Sequence, residues 1–226
     1  MAKYFVIIIL LILLFLIFWN LQKNTAPRNR LDLLSSRYID QGPREVGSAN
    51  LVTAVVVAYR GFDTLGEVIV LFLAATGVGF LMQKRQKAYP KSNPASEILR
   101  TGSDVLLPVI ILTGTYIFLH GHLTPGGGFQ GGVVIASGFL LQFLARPESR
   151  IKVRKLHFIE SISGFFYVLS GLAGLILAGG FLDSRFLPLG KWGELISAGA
   201  IPLIYSFIGL KVGSELVGIL NNLKGD

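Results

Sequence analysis

The chain has 226 residues, 52% of them hydrophobic and only 15% charged, against about 25% charged in soluble domains, so lipid is the solvent for most of it. Its net charge of +8 is not a nucleic-acid footprint: fifteen of the 21 Lys and Arg fall in Lys23 to Arg44, Lys84 to Arg100 and Arg146 to Lys155, between apolar runs, and form no basic face interleaved with aromatics. Cysteine is absent, which excludes disulfides, thiolate nucleophiles, thiolate zinc sites and iron–sulfur ligation from this chain.

A membrane-spanning helix needs about 20 mostly apolar residues, and six segments meet that length, predicting an all-α polytopic membrane protein. The first is Tyr4 to Leu21. It is longer than a signal-peptide core and no small-x-small site precedes the polar Gln22-Lys23-Asn24, so an uncleaved anchor is expected. A polar loop over residues 22–49, with Pro27 and Pro43, follows. The second span lies within Asn50 to Met82. A basic linker with Pro90 and Pro94 then divides a two-span unit, residues 1–92, from a four-span unit, residues 93–226. The remaining spans are Val105 to about His120, Phe129 to Ala145, Phe158 to Phe181, and about Trp192 to Leu220. No internal repeat emerges.

Charges within or beside these spans are the candidate ion-handling groups, because a charge at the bilayer centre costs about 2.5–3.5 kcal/mol and so faces protein or water. Arg60, Asp63 and Glu67 stand three, four and seven residues apart, on one face of a continuous helix. Arg60 and Asp63 read either as functional or as a wet local pair at a helix entrance. Glu67, followed by Val68-Ile-Val-Leu-Phe-Leu, reads as the functional member. In the last span Lys211 and Glu215 are i,i+4. Lys211 is either a relay element, since a buried lysine gives up its proton readily, or a side chain snorkelling to the interface and pairing with Glu215. Pro202, expected mid-span, would free backbone groups there. Glu160 and Glu194 read as helix-start charges favoured by the dipole, and His157 as a solvated residue flanking a basic loop.

Between the third and fourth spans stands His120-Gly-His-Leu-Thr-Pro-Gly-Gly-Gly-Phe-Gln-Gly-Gly132. Residues 126–131 match G-x-G-x-x-G formally, but that fingerprint needs a preceding strand in a soluble βαβ unit, and here it joins two membrane spans. Pro125 with Gly126, Gly127 and Gly128 reads as a tight turn, and Gly131 and Gly132 as a smooth packing surface. His120 and His122 fit a proton relay or structural hydrogen bonds to the turn. With no carboxylate nearby, no metal site is expected.

Basic residues bordering spans mark the cytoplasmic side. The second and third basic stretches are separated by a helical hairpin and face the same side; the first must then face outside, two clusters outvoting one. Both termini are therefore expected in the cytoplasm, with His122 to Gly128 outside.

The four-span unit resembles the MnhB/MrpB family. Its Gly-His-x-x-Pro-Gly-Gly-Gly-Phe-x-Gly-Gly motif and Gly209-Leu-Lys-Val-Gly carry the likeness, over about residues 95–222. Tyr59-Arg-Gly-Phe-Asp-Thr-Leu-Gly-Glu is similar to the C-terminal end of MrpA-type subunits, a segment carried by a small separate subunit in membrane-bound hydrogenase and sulfur-reducing complexes. The two extra spans look like a fusion of adjacent subunits. The resemblance implies a non-enzymatic subunit of a multisubunit cation/proton antiporter module in a prokaryotic plasma membrane, moving Na+ and H+, without a cofactor of its own and partnered by other membrane subunits. It leaves open a stand-alone antiporter, the membrane arm of a redox complex, or a scaffold whose polar residues only fix packing.

Overall fold

The computed structural model describes residues 2–24, 32–83, 95–149 and 151–224, and among them every regular element is helical. Eight α-helical segments follow in order: α1 Ala2–Asn24, α2 Leu33–Val46, α3 Leu51–Thr53, α4 Gly61–Gln83, α5 Glu97–Leu119, α6 Gly128–Ala145, α7 Val153–Leu177 and α8 Ile201–Lys224. Six of these, all but α2 and α3, are long and apolar enough to cross a membrane, as the hydropathy of the chain predicts.

The chain divides into two compact units, Met1–Arg37 and Tyr38–Asp226. The first holds α1, whose apolar side chains from Val6 to Trp19 are all exposed, as a helix solvated by lipid or covered by another chain requires. In the second, α8 is the central post, packed against α4, α5, α6 and α7. Its buried face carries Ile201, Ile204, Tyr205, Ile208, Val212 and Val217, an i, i+3, i+4 stripe.

Glycine decides how closely the helices approach. A Cβ on Gly131 of α6 would sit 2.5 Å from the Gly114 carbonyl oxygen of α5, and one on Gly132 would sit 2.8 Å from that of Gly209 on α8. Backbones touch at both crossings, and in a membrane such contacts, rather than the hydrophobic effect, hold helices together. At one end of the α5–α6 hairpin Arg100 pairs with Glu148 at 3.2 Å and Arg146 pairs with Asp104. Arg100 and Arg146, from the second and third basic stretches, thus share one end of the bundle, and the glycine turn sits at the other.

Several expected boundaries move. Residues 33–46 of the expected polar loop form α2, and its Gly42 packs against Leu51 and Tyr59. Pro27, Pro90 and Pro94 lie outside the described residues. The second span is not continuous: α3 widens into a π-helix over Ala54–Tyr59, and the chain breaks at Arg60 (φ −124°, ψ 36°) before α4 begins. Widening leaves the Val56 carbonyl outside the ladder, where it accepts a hydrogen bond from Thr64 Oγ1 at 2.8 Å. Arg60 therefore stands at the junction, outside the regular helix, and reaches Asp63 of α4 through its side chain.

The third span begins at Glu97, capped by Ser96, and the fifth runs from Val153 to Leu177. The sixth begins at Ile201, because residues 187–200 turn repeatedly, with positive φ at Gly190, Gly193, Ala198 and Gly199. Pro202 consequently lies in the first turn of α8, where a missing N–H costs nothing, and not mid-span.

Candidate functional site

Two polar constellations emerge. The first lies between α4 and α7, which both pack on α8 and leave a gap of about 300 Å³ between them. Phe72 and Thr76 of α4, His157 and Glu160 of α7, and Glu215 and Asn222 of α8 line it. Behind the carboxylates stands Lys211, its Nζ 2.5 Å from Glu215 Oε1, 3.7 Å from Glu160 Oε1 and 5.1 Å from the centre of the Phe72 ring. Its stem runs across Gly164, whose lack of a side chain leaves room for it.

These groups are withdrawn from the surface: side-chain exposure is 12% for Lys211, 15% for Glu160 and 1% for Glu215. Lys211 is thus held inward by two carboxylates and does not snorkel. Glu160 is not a helix-start charge, since α7 begins at Val153 and places it two turns in, against the lysine. His157 is largely exposed, but its Nδ1 lies 3.3 Å from Glu160 Oε2 at the mouth of the gap.

One ammonium facing two carboxylates leaves one formal negative charge, and Glu215 Oε2 is buried with no hydrogen-bond partner. A buried anionic oxygen without a partner is costly, and a proton or a monovalent cation entering the gap would satisfy it. From the glycine-turn end of α8, Lys211 lies about 15 Å down the axis, near the middle of that helix. The gap runs from there to the basic end.

The second constellation is the glycine turn. Thr53 Oγ1 and Asn50 Nδ2 donate to the Gly121 carbonyl at 2.6 and 2.8 Å, and Asn50 Nδ2 also donates to that of Thr124 at 3.0 Å. Ser48 Oγ and the Asn50 amide both donate to the His122 carbonyl, and Tyr205 OH donates to Thr53 Oγ1 at 3.0 Å. The segment before α3 therefore clamps the turn. His122 is fully buried, with Nε2 3.4 Å from the Glu194 carbonyl and Nδ1 unpartnered. Burial holds its imidazole below the ordinary range, with the charge of His120 adding to that and the Glu194 contact opposing it. Glu194 lies in an irregular segment and not at a helix start. His120 stacks on Tyr116 and contacts that residue's carbonyl at 3.2 Å.

Of the residues singled out from the sequence, Lys211 and Glu215 come together, and Glu160 and His157 join them. The i, i+3 spacing of His157 and Glu160, with Gly164 a turn further on, was the available signal. Arg60 and Asp63 form an exposed 2.5 Å pair at the start of α4. Glu67 is exposed on α4 and is not among the residues that line the gap. His120, His122 and the Pro125–Gly132 turn stand at the opposite end of the bundle. Among the described residues no three His, Asp or Glu are grouped to hold a metal ion.

Comparison with known proteins identifies the relatives of this chain and of its fold. A family model described as a domain related to the MnhB subunit of Na+/H+ antiporter matches residues 98–218, and the model for MbhE, one of the subunits of MBH, matches residues 13–97. A chain of the membrane-bound sulfane sulfur reductase, an archaeal respiratory membrane complex, is 41% identical with a TM-score of 0.85, each chain covered fully. A chain of the Mrp complex from Dietzia sp. is 26% identical with a TM-score of 0.80, this protein covering 26% of it. The probable A/B subunit of a K(+)/H(+) antiporter of Rhizobium meliloti is 28% identical over 217 residues, 82% of this chain but 22% of that protein. An uncharacterised protein of Methanocaldococcus jannaschii is 32% identical, with 72% of each chain covered. The chain belongs to the family of membrane domains related to the MnhB subunit of Na+/H+ antiporters.

Proposed function

We propose that this chain is a non-enzymatic membrane subunit of a multisubunit cation/proton antiporter module, and that Lys211, Glu215 and Glu160 form part of its ion route. The observation that carries this reading is the buried lysine between two carboxylates at the inner end of a gap open to the basic side. The cluster is one positive charge short of neutrality, and it exchanges a proton for a monovalent cation, Na+ by the family's description, at the unpartnered oxygen of Glu215. Lys211 stops both carboxylates from being charged and unopposed in the low-dielectric interior.

The other membrane subunits of the module are the partners. Exposed Glu67 supports this, because a carboxylate turned to hydrocarbon costs about 2.5–3.5 kcal/mol and a neighbouring chain would cover it. Residues 1–92 and 93–226 correspond to two subunits that are separate chains elsewhere, an idea supported by the A/B designation of the Rhizobium relative. Its full-length likeness to a respiratory complex chain favours a host in which a redox partner drives the ions.

The direct test is ion-driven proton movement in inverted vesicles containing the whole complex. Lys211→Ala and Glu215→Gln complexes that assemble should lose coupling; normal transport by both would remove the cluster from the route. Both termini lie in the cytoplasm under this reading, so Thr124→Cys should react with an impermeant thiol reagent from outside. Reaction only from the cytoplasmic side would reverse the orientation.

A further inference from the structure

Two contacts fix how α4 lies along α8. The centre of the Phe72 ring is 5.1 Å from Lys211 Nζ, and a Cβ on Gly79 would sit 3.5 Å from Asn222 Nδ2. Thr76 comes four residues after Phe72 and three before Gly79, so it shares their face of α4. Glu215 stands between Lys211 and Asn222 on α8. Thr76, Ser214 and Glu215 accordingly line the same gap, in the interval that these two contacts bracket.

A hydroxyl has one proton to donate and two lone pairs to offer. Thr76 Oγ1 donates to the Phe72 carbonyl at 2.8 Å. Ser214 Oγ turns its proton to the carbonyls of Leu210 at 2.7 Å and Lys211 at 2.9 Å. Both protons are thus spent within their own helices, a bond that Ser and Thr make to the preceding turn. What these two side chains have left to present is lone pairs. The Glu215 oxygen that Lys211 does not take is buried and unpartnered. Three oxygens from two helices therefore offer electron pairs to the gap, which suits a cation and not an anion.

Resting on the ion-route reading above, we infer that Ser214 and Thr76 are the neutral oxygen ligands of the monovalent cation that Glu215 takes up, and that they set its affinity. Glu215 supplies the charge: two carboxylates against one ammonium and one monovalent cation make the cluster neutral. The hydroxyls replace part of the ion's hydration shell, as oxygen dipoles do in selective ion sites. A gap of about 300 Å³ has room for about ten waters at ~30 Å³ each, so water completes the shell. Because the two hydroxyls belong to α8 and α4, the bound ion also ties those helices together.

The test measures Na+-driven proton movement in inverted vesicles containing the whole complex, over a range of NaCl with choline chloride holding the ionic strength constant. Ser214→Ala and Thr76→Val should each raise the Na+ concentration for half-maximal movement about fivefold or more, with the maximal rate retained. Ser214→Thr and Thr76→Ser keep the oxygen and should behave as the unmodified complex. Ser206→Ala is the control, since that hydroxyl makes the same kind of bond on α8, to the Pro202 carbonyl, but does not line the gap. Its Na+ dependence should not move. Unchanged Na+ dependence in both Ser214→Ala and Thr76→Val, with Glu215→Gln inactive, overturns the ligand assignment and leaves the ion route standing. Normal transport by all three overturns the route and the ligands together. A lower maximal rate at an unchanged half-maximal concentration, or an equal shift in Ser206→Ala, assigns the hydroxyls to helix geometry and also refutes the proposal.

Discussion

Replacing Lys211 by methionine keeps most of the side-chain volume but strips away the ammonium that Glu215 and Glu160 share. Glu215, 1% exposed, is left with neither oxygen partnered. Breaking a buried ion pair from one side costs about 3–5 kcal/mol, whereas exchanging the whole pair for apolar side chains of similar volume is often neutral or stabilising. Lys211→Met should therefore lower the temperature at which the purified complex dissociates, and adding Glu215→Leu should recover much of the loss. The Arg60–Asp63 pair gives the control. Both its side chains are more than half exposed, so Arg60→Met should cost only about 0.2–1 kcal/mol in this chain. The assay is dissociation temperature by size-exclusion chromatography, supported by limited proteolysis of α8. A Lys211→Met complex as stable as wild type, or a double variant less stable than the single one, would refute the buried-pair reasoning.

Gly131→Ala should block close approach of α5 and α6 at a cost of about 1–3 kcal/mol, while Gly102→Ala, with open space at its Cβ, should be near neutral; trypsin sensitivity of the assembled chain distinguishes them. Asn50→Ala removes the cap of α3 and two bonds to the glycine turn, and should release about 1–3 kcal/mol of that turn's stability, read as faster hydrogen exchange at residues 121–125. Because burial depresses the His122 imidazole below 6.5, its contribution is complete above that pH and is lost as pH falls through the lower folded value. Exchange in the turn should therefore accelerate on acidification, and a His122→Gln chain that keeps the same pH dependence would exclude the histidine as its cause.

Most of the bundle was legible because hydropathy over twenty residues reports on lipid whatever the partner helices do. α1, α4 and α6 are readable this way, and so is the backbone contact at Gly131 and Gly132. What escaped depended on contacts between distant segments. The run Val55-Val-Val-Ala-Tyr is as apolar as the helix after it, so nothing local marks the π-helix, whose widening shows only in the bond from Thr64. The sixth span begins late because residues 192–199, with Glu194 as their single charge, pass for helix by hydropathy while Gly193 and Gly199 adopt positive φ. Glu160 resembled a helix-start charge until α7 was seen to begin at Val153 and Lys211 to reach it from α8. Glu67 was the most conspicuous carboxylate in the sequence, yet in the fold it faces outward.

The glycine crossings also bear on how the gap behaves mechanically. With α5 on α6 and α6 on α8 at backbone contact, those three helices form a block in which a displacement of a few tenths of an ångström already meets main-chain atoms. α4 and α7 meet α8 through side chains, which tolerate small slides. Any breathing of the space around Glu215 is therefore borne by these two jaws moving against a fixed anvil. Lys211, rooted in the anvil, keeps its depth while Glu160 and Phe72 travel with the jaws.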